Sequence, residues 1–210
     1  MRRASAALPL LALAFAGLAA CGKKETPASP AEPAAETPAP APESAPSPQS
    51  EWTNATVKFA GPSGEDMGEA VLTDALGGVL MRFEVKGLTP GWHGVHLHMA
   101  GDCSDGADGF KASGGHINPD NVEHGFLNAN GFHRADLPNL YAGPDGTATA
   151  EFFRAGLNLR PSEQGAAVNG PYPLFDDDGS AIVIHASPDD QLTQPIGGAG
   201  ARVACSALKE

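Results

Sequence analysis

The sequence predicts an all-β domain, a sandwich or flattened barrel of seven or eight strands. Short runs alternate apolar and polar residues, Gly, Pro, Asn and Asp cluster between them, and no window of a dozen residues shows helical spacing. In chain order the runs are "ATVKFA", "GEAVLTDA", "GVLMRFEVKGL", "GVHLHMA", "TATAEFFRAGL", "SAIVIHA" and "ARVACSAL". Each is rich in Val, Ala, Phe or Thr and too short for a helix, so each reads as a strand of a layered sheet. With 41% hydrophobic residues in 210, the chain can fill one packed core. Residues 99–147 and 160–179 stay irregular, and loops of that length in a compact domain are functional or tethered.

Only part of the chain belongs to that core. Residues 1–20 carry Arg2 and Arg3, the apolar run "LPLLALAFAGL" and small residues up to "LAAC", the layout of a secretory signal. The run is too short to span a membrane. "LAAC" resembles a bacterial lipobox, which implies cleavage before Cys21 and a lipid on its sulfur, and Gly22 favours the outer membrane. Residues 22–50 hold eight prolines and no Val, Ile, Leu or aromatic residue, so they cannot form a core. Extended as polyproline II they would reach about 90 Å, a spacer between an anchor at Cys21 and a domain over 51–210. That domain holds 9 basic and 21 acidic residues and so carries the chain's whole net charge of −12, which argues against nucleic acid or an anionic membrane face as partner.

The chemistry lies in the histidines. In "GVHLHMA" side chains alternate, so His96 and His98 project from one face with Leu97 opposite. Two imidazoles on one face make half a metal site. The following loop adds His116 in "GGHINP", His124 in "EHG", and His133 with Asp136 in "FHRAD", and the strand "AIVIHA" adds His185. A single histidine in a β protein is ordinary packing, but this many in Gly-rich loops beside an Asp is not. Imidazole and carboxylate donors suit zinc and copper.

Taken in order, "HGVHLHMAGDC", "FKASGGHINP", "HG" followed by "FHRADLPNL", "GSAIVIHA" and "GAGARVAC" resemble the bacterial periplasmic copper/zinc superoxide dismutases, across almost the whole domain. The ligand spacings of 8, 9 and 3 from His116 to Asp136 match that family's zinc loop. The resemblance implies an eight-stranded Greek-key β-sandwich or flattened barrel with long metal-binding and active-site loops. It implies copper on His96, His98, His116 and His185, and zinc on His116, His124, His133 and Asp136, with His116 shared. His93 is left with a structural role. Cys103 and Cys205 would pair as a disulfide in an oxidising compartment, and Arg202 would guide a small anion, superoxide, to copper.

The same resemblance places a carboxylate that links ligands of the two metals at Asp189, with Asp190 as a competitor. From His185 to Arg202 there is no lysine, which leaves Arg202 to carry most of the guidance. The expected activity is dismutation of superoxide in the cell envelope, by a periplasmic, lipid-anchored enzyme that could be a homodimer. The alternative is a noncatalytic copper/zinc-binding lipoprotein on the same scaffold, which would need the ligands but not Arg202. A zinc hydrolase is disfavoured, since no nucleophile or glutamate base stands beside the ligands.

Overall fold

Alternation along the seven predicted runs becomes seven strands of one antiparallel sheet in the computed structural model, which describes residues 53–161 and 170–209. The predicted leader, Cys21, the whole linker and its junction with the domain at 51–52 lie outside the described residues. The strands are β1 (Asn54–Ala60), β2 (Asp66–Ala75), β3 (Gly78–Val85), β4 (Gly91–His93), β5 (Val95–His98), β6 (Leu140–Ala142), β7 (Ala148–Ala155), β8 (Leu157–Asn158), β9 (Tyr172–Pro173), β10 (Ser180–His185) and β11 (Arg202–Leu208). In the main sheet the order is β5-β10-β11-β1-β2-β3-β7, while β4 pairs with β6 and β8 with β9.

Strands from both ends of this order bury side chains in one core, so the sheet curls on itself. Val95 and Leu97 of β5 and Ile182 and Ile184 of β10 share that core with Val79, Met81 and Phe83 of β3 and Ala148 of β7. Phe83 lies between Phe59 and Phe152, with ring centroids 6.2 and 5.2 Å away. Large side chains buried this completely each contribute about 1.5–3 kcal/mol, and truncating one, as in Leu72→Ala, would cost about 2–5 kcal/mol.

Four of the strands had no counterpart among the predicted runs. β4, β6, β8 and β9 have two or three residues each, too few to display a period of two. β4 and β5 are separated only by Gly94. Counted as one strand that pairs β6 at one end and β10 at the other, they make β6 the eighth strand of the expected fold. No α-helix occurs among the described residues, only two 3₁₀ turns at Gly106–Asp108 and Lys111–Ser113.

β10 is buried on both faces. Ile182 and Ile184 face the main core, whereas Ala181 and Val183 meet Phe110, Cys103 and Cys205 on the other side. His98 and His96 of β5 stand opposite Ala181 and Val183 in register. This outer face of β5 and β10 is the floor of the site, and the loops over 99–139 and 186–201 form its roof.

Candidate metal centre

Strand alternation that buries Val95 and Leu97 in the core turns His96 and His98 outward onto that floor, and β10 ends there with His185. The long loop returns His116 to bridge His98, and Asp136 to bridge His96, as isolated β-bridges. Main-chain pairing of Leu97 with Ala135 and Ile117 fixes both returns. All six predicted ligand histidines and Asp136 are buried, between 0% and 8% exposed.

Four ring nitrogens in this cluster are buried with no hydrogen-bond partner: His96 Nδ1, His98 Nε2, His116 Nε2 and His185 Nε2. For three of these rings the other nitrogen is engaged, which fixes the tautomer. His98 Nδ1–H donates to Gly114 O at 2.9 Å, His185 Nδ1–H to Gly200 O at 3.0 Å, and His96 Nε2–H to Asp189 Oδ2 at 2.8 Å. Each of these rings thus keeps a bare, buried lone pair, the kind of donor a metal takes. Leaving four such atoms unpaired would otherwise cost about 1–3 kcal/mol each.

A second cluster adjoins the first. Asp136 Oδ1 lies 2.8 Å from His124 Nδ1, 3.5 Å from His116 Nδ1 and 3.7 Å from His133 Nδ1, and the last two nitrogens are 3.0 Å apart. Donors bonded tetrahedrally to a zinc ion at its usual lengths stand about 3.3 Å from one another, so these separations fit such an ion. Donor atoms of His98, His116 and His185 lie within 4.8 Å of one another, as do those of His96, His116, His124 and Asp136. His116 belongs to both groups, while His96, expected with His98 and His185, groups with His124 and Asp136, and His133 falls in neither.

Asp189, not Asp190, joins the two. Its Oδ2 accepts from His96 Nε2–H at 2.8 Å and its Oδ1 from His124 Nε2–H at 3.1 Å. Asp190 instead caps its own turn, accepting from Leu192 N, Thr193 N and Thr193 Oγ1. His93 spans two carbonyls, of His185 and Thr89, as a purely structural ring would.

Burial pushes the His98 ring down to about 2, with His116 and Arg202 adding to the effect. His185 falls to about 3 and His96 to about 4, burial again the main cause. His124 goes the other way: burial disfavours its charge, but hydrogen bonds to Asp136 and Asp189 outweigh that and raise it to about 9. Burial alone would raise both carboxylates. Hydrogen bonds from His116, His124 and Gly125 N–H hold Asp136 well below the usual range, and those from His124, His96 and Gln191 N–H do so for Asp189.

Arg202 faces His185 across β10 and β11, where the register slips after Ile184. Its guanidinium donates to Phe110 O at 2.6 Å, Ser113 Oγ at 3.1 Å and Gly114 O at 2.9 Å. Gly114 O therefore ties Arg202 to the ring of His98. Cys103 and Cys205 form a disulfide, Cα atoms 5.8 Å apart, that fastens the start of this loop to β11.

Sequence reasoning missed several supporting residues. Asn139 exchanges two hydrogen bonds with the Asp189 main chain, and Gln194 exchanges two with that of His124. Gly197, at φ +62°, leaves no room for a side chain, since an added Cβ would collide with Asp189 Oδ1. The glycine in "GGAG" was the one visible signal.

The comparisons with known proteins agree with this geometry. Residues 67–208 match the family model described as copper/zinc superoxide dismutase. A protein of Caulobacter vibrioides named superoxide dismutase [Cu-Zn] is 46% identical over 157 residues, 74% of this chain and 86% of that one. One from Aquifex aeolicus, named superoxide dismutase [Cu-Zn] 2, is 35% identical over 70% of this chain and 81% of its own. The chain belongs to the copper/zinc superoxide dismutase family. Among solved structures, a superoxide dismutase-like protein of Bacillus subtilis superposes with a TM-score of 0.67 at 33% identity, covering 74% of this chain and 99% of that one. The Cu/Zn superoxide dismutase of Brucella abortus gives 0.56 at 28% identity, covering 74% and 99%. As a family member the chain has the β-sandwich expected of it, and its His/Asp groups could hold metal ions.

Proposed function

We propose that this protein dismutates superoxide to oxygen and hydrogen peroxide, with copper held by His96, His98, His116 and His185 and zinc by His116, His124, His133 and Asp136. The observation that carries the reading is the set of four buried, unpartnered imidazole nitrogens in two adjoining His and His/Asp groups that share His116. Copper held there would supply reversible one-electron redox chemistry, and zinc would be redox-silent.

The protein's own groups do the rest. His116 Nε2 is the atom that can hold a proton for the peroxide product, while His116 Nδ1 stays fixed among His124, His133 and Asp136. Arg202, its fork locked to three acceptors on one loop, presents a permanent charge to a small anion. The local field thereby offsets the acidic surface over the last few ångströms. Asp189 keeps His96 and His124 oriented together.

The site of action follows from the sequence outside the described residues. The leader, "LAAC" and the proline-rich spacer support a lipoprotein anchored through Cys21, held in the periplasm at the outer membrane. A homodimer is compatible with this arrangement. Mass spectrometry of the mature N-terminus tests the anchor, and sedimentation tests the assembly.

The decisive experiment measures superoxide dismutation by the purified, metal-reconstituted protein, with copper and zinc quantified and His98→Ala alongside. Activity that tracks copper and is lost in the variant is expected. One copper and one zinc bound without dismutation would favour the metal-buffering alternative.

A further inference from the structure

Arg154, near the end of β7, is a buried cation, 9% exposed, on the side of the molecule that carries the zinc-side loop. Among the described residues no carboxylate lies within ion-pair distance of it, although burying a guanidinium is costly unless its donors are satisfied. They are satisfied by main-chain oxygens alone. One amino group donates to His133 O at 2.9 Å, Nε–H to Arg134 O at 3.1 Å, and the other amino group to Ala155 O at 3.1 Å. The Phe132 ring covers the guanidinium face with its centroid 4.9 Å away. One side chain thus grips three consecutive residues, 132 to 134, and the middle one is the predicted zinc ligand.

The other restraints on His133 are few. Its ring Nε2 meets Val122 O at 3.1 Å, and its N–H donates to Asp136 Oδ2 at 2.8 Å. Both partners belong to the same loop, and only Asp136 of the two is itself bridged to β5, through His96. Arg134 adds a neighbouring tie: besides its fork on Asp120, one amino group donates to Gly156 O at 3.3 Å and to Gly170 O. Arg154 is the tie that reaches the His133 carbonyl itself from a strand of the sheet.

We infer that Arg154 is a positioning residue for the zinc-side cluster, setting where His133 Nδ1 stands by holding the carbonyls of His133 and Arg134 against β7. The inference rests on the zinc assignment proposed above. It concerns geometry, not charge: a cation near a divalent ion would by itself weaken binding, so the benefit must come from the planar fork. Lysine at this position keeps the charge and loses the fork, which separates the two effects.

The test compares wild type, Arg154→Lys and Arg154→Met in the full chain. Zinc affinity is read by chelator competition, cobalt(II) placed in the zinc-side cluster is read by its visible spectrum, and copper affinity and circular dichroism serve as controls. Both variants are expected to bind zinc about 10–100-fold more weakly and to shift the cobalt bands, with copper affinity within twofold of wild type. If the methionine variant does not fold, the lysine variant carries the test. Wild-type zinc affinity and an unshifted cobalt spectrum in a folded lysine variant would overturn the inference. Wild-type protein that takes up no zinc would instead overturn the ligand assignment beneath it.

Discussion

The two clusters share His116 yet are built differently. Three of the four bare nitrogens come from His96, His98 and His185, on strands β5 and β10, whose inward residues are locked in the main core. The other cluster is carried on loop residues His124, His133 and Asp136, and holds its shape through hydrogen bonds to Asp136, Asp189 and Arg154. Strand-borne imidazoles are rigid and kept neutral by burial, whereas the loop-borne group is organised by carboxylate charge. Packing makes the first cluster, and polar bonding makes the second.

The largest break in this comparison is His116→Ala, which removes the group common to both sides. It should abolish uptake of both metals and lower dismutation by at least about 100-fold, as metal analysis and activity together would reveal. Asp136→Asn should separate the clusters, weakening zinc by about 10–100-fold while copper stays within a fewfold. Equal loss of both metals would mean that the loop cluster also holds the strand cluster in shape.

Arg202→Ala should lower the rate about tenfold at low salt, and less as ionic strength rises, with both metals retained. An unchanged rate at moderate salt would remove Arg202 from its role. Gly197→Ala should cost about 1–3 kcal/mol in thermal stability, because it strains a left-handed residue and pushes on Asp189. Calorimetry would read the loss.

The pH profile of the metal-free protein sharpens the comparison without a substitution. Folded His98, His185 and His96 titrate at about 2, 3 and 4, below the ordinary 6.5, so the unfolded chain binds protons first as pH falls. Stability is therefore lost below about pH 6.5. His124, raised to about 9, contributes fully below pH 6.5 and loses its contribution as pH rises through 9. Urea unfolding should thus show a maximum near pH 6.5, steeper on the acid side because three groups act there against one. A steady rise in stability from pH 5 to 9 would contradict the assignment of His124.

Much of this was legible in the sequence because period-two alternation and ligand spacing are local signals. The seven long strands follow from the first, while the assignment of six histidines and Asp136 to two metals rests on the family resemblance as well as the spacing. The supporting bonds are not local. Arg154 reaches His133 across 21 positions, Asn139 reaches Asp189 across 50, and Gln194 reaches His124 across 70. Nothing in their own neighbourhoods marks them. Asp189 and Asp190 are equivalent as letters, and only the turn that Asp190 caps tells them apart.

The adjacency of β5 and β10 also sets a clock. His96 and His185 are 89 positions apart in the chain, although their rings lie 4.8 Å apart in the fold. At ordinary rates of synthesis the second emerges about 4–18 s after the first. Before that interval closes a growing chain already carries His98, His116, His124, His133 and Asp136 but lacks the imidazole that β10 delivers. The floor of the site is thus complete only once synthesis has passed β10.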